Sequence, residues 1–165
     1  MKAFLYFSYD LYKNKIPGNP VKKNLKILFA TLPSDPFFLE AGAFNGADTL
    51  SMHYAWPKAK IHAFAPVSQI FSTLKKRIKF IKNITVYNLA LSNSTGTASI
   101  NVSLGKNTSA SSLLEPKTVR TAYPDIKFQS KIDVNTITLN DWLKNNQSIK
   151  WILCGWICKA LNYWR

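Results

Sequence analysis

A strand, a glycine turn and a helix in direct succession constrain this chain more than any other feature. Phe37-Phe38-Leu39 is a short apolar run ending in Glu40-Ala41-Gly42, and Gly46 follows four residues after Gly42. An amphipathic stretch from Ala47 to Trp56 comes next, and Pro57 stops it. Gly42 suits a tight turn that lets backbone approach a ligand, while Gly46 lets the helix begin close to the sheet. Such turns lie at the carboxyl edge of doubly wound sheets, where nucleotides bind. Two glycines at this spacing also serve as a plain structural turn, but the βαβ setting and an acidic residue two places before Gly42 favour a ligand. The turn lacks the Gly-Lys-Ser/Thr of a P-loop and the Gly-x-Gly-x-x-Gly of dinucleotide sites. A nucleoside cofactor without a pyrophosphate suits it better.

The rhythm continues downstream. Ile61 to Phe64 reads as a second strand, and after Pro66 the residues Val67, Ile70, Phe71, Leu74 and Ile78 mark one helix face. Ile84 to Leu89 reads as a third strand. Alternating strands and helices imply parallel pairing through crossovers, hence an α/β fold with a doubly wound, mostly parallel sheet. From Thr95 the alternation of TGTASINVSL suits an antiparallel insertion, and NTSASSLLEP reads as a loop. Strand-like Ile132 to Leu139, a short helix over Asn140 to Asn145 and a last apolar run from Ile149 complete the pattern. Ahead of it, Met1 to Pro36 reads as an irregular lead-in with a helix over Lys22 to Thr31, which Pro33 and Pro36 close off.

The chain has 165 residues and 22 Lys plus Arg against 8 Asp plus Glu, a net charge of +14. That field attracts polyanions. The cations are nearly all Lys, however, in short groups such as Lys22-Lys23 and Lys75-Lys76-Arg77, which solvated helix faces explain better than a nucleic-acid groove. The first residues show no signal-peptide pattern, since Asp10 interrupts them and no cleavage site follows. No apolar run approaches the roughly 20 residues of a membrane span, so a cytoplasmic location is expected. Cys154 and Cys158 lack the partners and spacing of a zinc or redox site. His53, on the first helix, and His62, inside the second strand, titrate in the range of a general base but have no third orienting group, and packing explains them better. Asp48 and Thr49 read as capping and first-turn residues of the first helix. No catalytic base can be named.

The strings FLEAGAFNGADTL, KIHAFAPVSQIF, NLALSNSTGTASI, SASSLLEP and VNTITLNDWL, in this order from Phe37 to Leu143, resemble the FkbM family of S-adenosylmethionine-dependent methyltransferases. The resemblance implies a Rossmann-like class I methyltransferase fold with S-adenosylmethionine as cofactor. It implies that Glu40, Gly42, Ala43, Asn45 and Gly46 line the methionine and ribose side, with Ala65 at the ribose and Ala90 and Leu91 near the adenine. It further implies O-methylation of a hydroxyl on a sugar, glycolipid or secondary metabolite. Separately, the loop Asn107 to Ser112 is expected to reach the acceptor. A non-catalytic remnant of such an enzyme and a basic nucleic-acid-binding domain are the alternatives.

Two departures qualify the resemblance. Where the family carries an acidic residue before Pro at the end of the second strand, this chain has Ala65 in Phe64-Ala65-Pro66. Charge-assisted hydrogen bonds are worth about 1.5 to 3 kcal/mol each, so losing a pair to the ribose would lower cofactor affinity by roughly two orders of magnitude. The second departure is the tail. Where the family has an apolar fourth strand and Asp-x-Gln/Glu-Gly, this chain reads Trp151-Ile-Leu-Cys-Gly-Trp-Ile-Cys-Lys-Ala. Reading codons for that stretch from their third base forces Asp at both Trp-Ile junctions, forces Gln or a stop at Cys158-Lys159, and permits D-F-M-W-M-D-M-Q-G. The expected domains are a lead-in over residues 1–36, a partial methyltransferase domain over 37–153 and an out-of-frame tail over 154–165. The fold would then be incomplete after the start of its fourth core strand. In such folds the fourth strand lies beside the first, so backbone left unpaired on the first strand is expected to drive self-association. Nucleotide sequencing around the Lys150 codon should find a family-like segment in the shifted frame; an intact frame with no such segment downstream would rule the shift out.

Overall fold

A computed structural model describes residues 6–7, 32–104, 111–113, 127–146 and 153–155. Two sheets organise them. The larger has five strands in the order β1-β8-β2-β3-β4, all parallel: β1 (Tyr6–Phe7), β8 (Leu153–Gly155), β2 (Phe37–Ala41), β3 (Lys60–Phe64) and β4 (Ile84–Tyr87). The apolar runs FFLEA and KIHAF suit strands covered on both faces. Helix α1 (Ala47–Ala55) joins β2 to β3, and α2 (Ser68–Arg77) joins β3 to β4.

Alternation along the strands divides the side chains between two faces. Phe38, Ile61, Ala63 and Ile84 meet Met52 and Trp56 of the α1 region and Leu74 and Ile78 of the α2 region. On the other face Leu39 and Phe64 pack against Trp142 of α3 (Leu139–Lys144), with Phe37, Tyr87 and Leu91 around them. Helices thus cover both faces of the parallel sheet. Thr138 starts α3 by accepting the Asp141 amide at 3.0 Å, a side-chain cap for an otherwise unmatched N–H.

The smaller sheet has the order β5-β7-β6, with β5 (Ala90–Ser92) parallel and β6 (Gly96–Leu104) antiparallel to β7 (Lys127–Thr138). The alternating segment after Thr95 therefore does form an antiparallel ribbon, but in a sheet of its own. Its inner residues Ala90, Ile100 and Val134 close over Val67 and Ile70 where α2 begins.

Several expectations need correction. Tyr6 and Phe7 lie in the segment read as an irregular lead-in, yet they form an edge strand paired with Cys154 and Gly155. The third strand ends at Tyr87, because Asn88 turns the chain and uses its side chain on the neighbouring loop. The first core strand is not left unpaired: Phe38, Leu39 and Glu40 pair with Leu153, Cys154 and Gly155. The fourth position of the sheet is filled by three residues that straddle the 153/154 boundary, so the open edge expected on β2 is absent. The helix expected over Lys22 to Thr31 and most of the loop Asn107 to Ser112 lie outside the described residues.

Trp142, 2% exposed and edge-on to Phe64 at 5.6 Å and to His62 at 5.2 Å, closes the α3 face. Replacing it by Ala should lower the stability measured by chemical denaturation by about 3–5 kcal/mol. Phe80→Ala, at a ring 88% exposed, should shift it by no more than about 0.5 kcal/mol.

Candidate functional site

β2 and β3 end level with each other, Ala41 opposite Phe64, so the segments that follow them meet at one sheet edge. The Phe64 carbonyl accepts the amides of both Gly42 and Ala43 at 2.9 Å, which ties the turn to the neighbouring strand. Gly42 and Gly46 take φ of 83° and 80°, and Phe44 between them takes 45°. A chain of left-handed residues reverses direction in little space, and glycine tolerates that conformation best.

The two glycines do different work. A β-carbon on Gly42 would meet nothing within 4 Å, so its backbone faces open space at the carboxyl edge. A β-carbon on Gly46 would collide with Leu74 Cδ1, so here the missing side chain is what lets α1 approach α2.

Glu40 sits directly before the turn with 2% exposure, and Thr49, fully buried on α1, donates its hydroxyl to Glu40 Oε2 at 2.5 Å. Burial is the main reason the Glu40 carboxyl is pushed up to about 8; the Thr49 hydrogen bond opposes the shift and the nearby Asp48 charge adds to it. Asp48, in the first turn of α1, is itself raised by burial. Asp48 and Thr49 fall in the first turn of α1 as expected, but neither is its cap: Gly46 occupies the cap position without a side-chain bond, and Asn45 Oδ1 accepts the Ala47 amide at 3.1 Å.

The remaining candidates are placed as follows. Ala43 and Ala65 are buried and belong to the core cluster under α1 and α2. Ala65 supplies no carboxylate, and its amide bonds the Tyr87 carbonyl at 2.9 Å. Ala90 and Leu91 follow β4; the Ala90 methyl turns into the core of the smaller sheet, and Leu91 packs beside Leu39, Phe64 and Trp142. Glu40, Gly42, Ala43, Asn45, Gly46 and Ala65 thus gather at the ends of β2 and β3. Ala90 and Leu91 lie past the end of the next strand.

Three contacts escaped the sequence reading. Asn88 donates to the carbonyls of Ala65 and Pro66 at 2.9 and 2.8 Å and accepts from Ser68 at 3.0 Å, fixing the loop beside the turn. Arg77 donates to the Asn45 carbonyl at 3.0 Å. The third is the Glu40–Thr49 pair. An Asn just past a strand and a Thr three residues after a helix-starting Gly were the available signals, but each gains meaning only from its partner.

His62 stands in an aromatic cluster. Its Nδ1 lies 2.7 Å from the Tyr87 hydroxyl and its ring stacks on Phe37 at 4.7 Å. Burial, then the Lys60 charge, lowers its pKa to about 4, so it is neutral at physiological pH. His53 lies 3.4 Å from the Asn83 amide on the far side of the sheet. Both histidines fit packing roles.

No protein-family model matches the chain. It is 23% identical over 131 residues to the 2-O-methyltransferase NoeI of Sinorhizobium fredii, covering 76% of this chain and 54% of that protein. It is 35% identical over 71 residues to the methyltransferase sdnD of Sordaria araneosa, covering 41% of this chain and 27% of that one. The chain therefore spans about half of the first relative and about a quarter of the second. Among solved structures, an rRNA methylase from Streptococcus thermophilus is similar over 44% of each chain, with 20% identity and a TM-score of 0.35.

The Glu40 proton gives the site a pH signature. The carboxyl titrates near its ordinary value of 4.5 when unfolded and near 8 when folded, so the folded chain holds one more proton across that interval. Stability should be highest below the unfolded value and fall as pH rises toward 8. Glu40→Gln keeps an acceptor for Thr49 and should flatten this slope in denaturation curves, matching the parent at low pH and exceeding it at pH 8.

Proposed function

We propose that this chain is the cofactor-binding part of an S-adenosylmethionine-dependent methyltransferase of FkbM type with a Rossmann-like fold, acting on a hydroxyl of a sugar, glycolipid or secondary metabolite. The observation that carries the reading is Gly42: backbone at positive φ, open to space, at the carboxyl edge of a parallel sheet directly after its strand. Both curated relatives are named methyltransferases, and the name of the one matched over most of this chain specifies 2-O-methylation.

The residues present fit the cofactor in chemical terms. Gly42 leaves room for a ligand against the main chain. Glu40 and Asp48 place two carboxyl groups beside the turn, both raised by burial, and a bound sulfonium and amine would favour their ionised forms where a phosphate would oppose them. The absence of a carboxylate at Ala65 implies that backbone groups and Glu40 carry the ribose side, at reduced affinity. When bound, the cofactor would supply the methyl group. Glu40 and Gly42 would hold it against the turn, and Asn88 and Ser68 would keep the neighbouring loop in place. A cytoplasmic location belongs to the same proposal; no helix among the described residues is long and apolar enough to cross a membrane.

Calorimetric titration with S-adenosylhomocysteine tests this reading. The parent chain should bind, and Gly42→Val should lose binding by at least tenfold while costing the fold about 1–2 kcal/mol for a branched residue at positive φ. A folded parent that releases no heat across millimolar ligand would refute the proposal.

A further inference from the structure

The opposite, amino edge of the large sheet has its own chemistry. Asn83, between α2 and β4, donates through its side chain to the carbonyls of Pro57 and Ala59, and its own carbonyl accepts the Ile61 amide. These bonds clamp the segment entering β3 against the segment entering β4. Lys58 and Lys60 on the first segment and Lys79 and Lys82 on the second therefore share this edge of the sheet, and all four are exposed.

Two aromatic side chains share this edge. Phe80 is 88% exposed, and Tyr54, at the end of α1 next to His53, is 75% exposed. The Lys79 ammonium lies 5.3 Å from the Phe80 ring centroid, covering one ring face. Asp35 lies at this edge too, since its neighbour Pro36 accepts the Lys60 amide, whereas Asp48 belongs to the first turn of α1 at the opposite edge. Between Asp48 and Glu115 the chain has no Asp or Glu at all, while carrying eight Lys and Arg.

We infer that this amino edge is a docking surface for an anionic lipid bilayer, with Lys58, Lys60, Lys79 and Lys82 at the headgroups and Phe80 and Tyr54 entering the interface. Four cations against one anion give the charge complementarity. Lysine stems can lie along apolar surface while their ammonium groups stay with phosphates, and a protruding Phe gains from leaving water. A nucleic acid fits less well. Lys79 already covers one face of the Phe80 ring, which reduces the surface for base stacking, and phosphate forks favour Arg, which the cluster lacks. Docked this way, the chain keeps its glycine turn on the far edge, roughly 17 Å away along five-residue strands. The inference stands whether or not that turn binds a cofactor.

Flotation of the whole chain with vesicles tests it, using phosphatidylcholine alone and phosphatidylcholine with phosphatidylserine. Binding should require the anionic lipid and weaken as salt rises. Lys79→Ala with Lys82→Ala should weaken it roughly 30-fold, about fivefold per lysine. Phe80→Ser should weaken it at least about fivefold. Lys127→Ala with Lys131→Ala, an equal loss of charge on the smaller sheet, should change it less than about threefold. Equal losses from the two lysine pairs, equal binding to neutral vesicles, or no flotation would overturn the inference. So would displacement from vesicles by a single-stranded oligonucleotide whose own binding ignores Phe80→Ser.

Discussion

A carboxyl group with almost no contact with water holds the central region together. Glu40 is the last residue but one of β2, and its side chain's hydrogen-bond partner is the Thr49 hydroxyl on α1. Burying an ionised carboxylate with one donor is costly, so the group keeps its proton well above the ordinary range. The hydrogen bond spans the glycine turn from strand to helix. Because both ends are fixed, the chain between them must reverse tightly, and Gly42, Phe44 and Gly46 take up that reversal at positive φ. Buried polarity here specifies one geometry for the turn.

The neighbouring loop depends on the same economy of polar groups. Asn88 satisfies the carbonyls of Ala65 and Pro66, which no strand or helix uses, and so sets where the chain leaves β3. On the opposite face the sheet is closed by aromatic packing. Trp142 is surrounded by Phe64, His62 and Tyr87, and its indole nitrogen is buried with no acceptor in bonding geometry among the described residues. The Tyr87 phenol is raised by burial, with the indole offsetting part of the shift. One face thus rests on helices and a carboxyl–hydroxyl pair, the other on an aromatic cluster.

The two sheet edges divide the chemistry. Carboxyl groups and open backbone lie at the carboxyl edge, and lysines with protruding aromatics at the amino edge. The division follows from parallel strands, which place every strand entry on one side and every exit on the other. Both curated relatives carry methyltransferase names, and the match with the first runs through most of this chain.

Sequence alone determined the local elements. Apolar runs of strand length, a 3.6-residue period and stops at Pro57 and Pro66 marked β2, α1, β3 and α2, because those signals are written in adjacent residues. Tertiary structure alone decided that β5, β6 and β7 leave the main sheet, that Leu153–Gly155 and Tyr6–Phe7 line up beside β2, and that Thr49 serves Glu40 instead of capping a helix. Each of these joins segments far apart in the chain or depends on burial. A residue's own type and near neighbours carry no record of which distant group will remove its water.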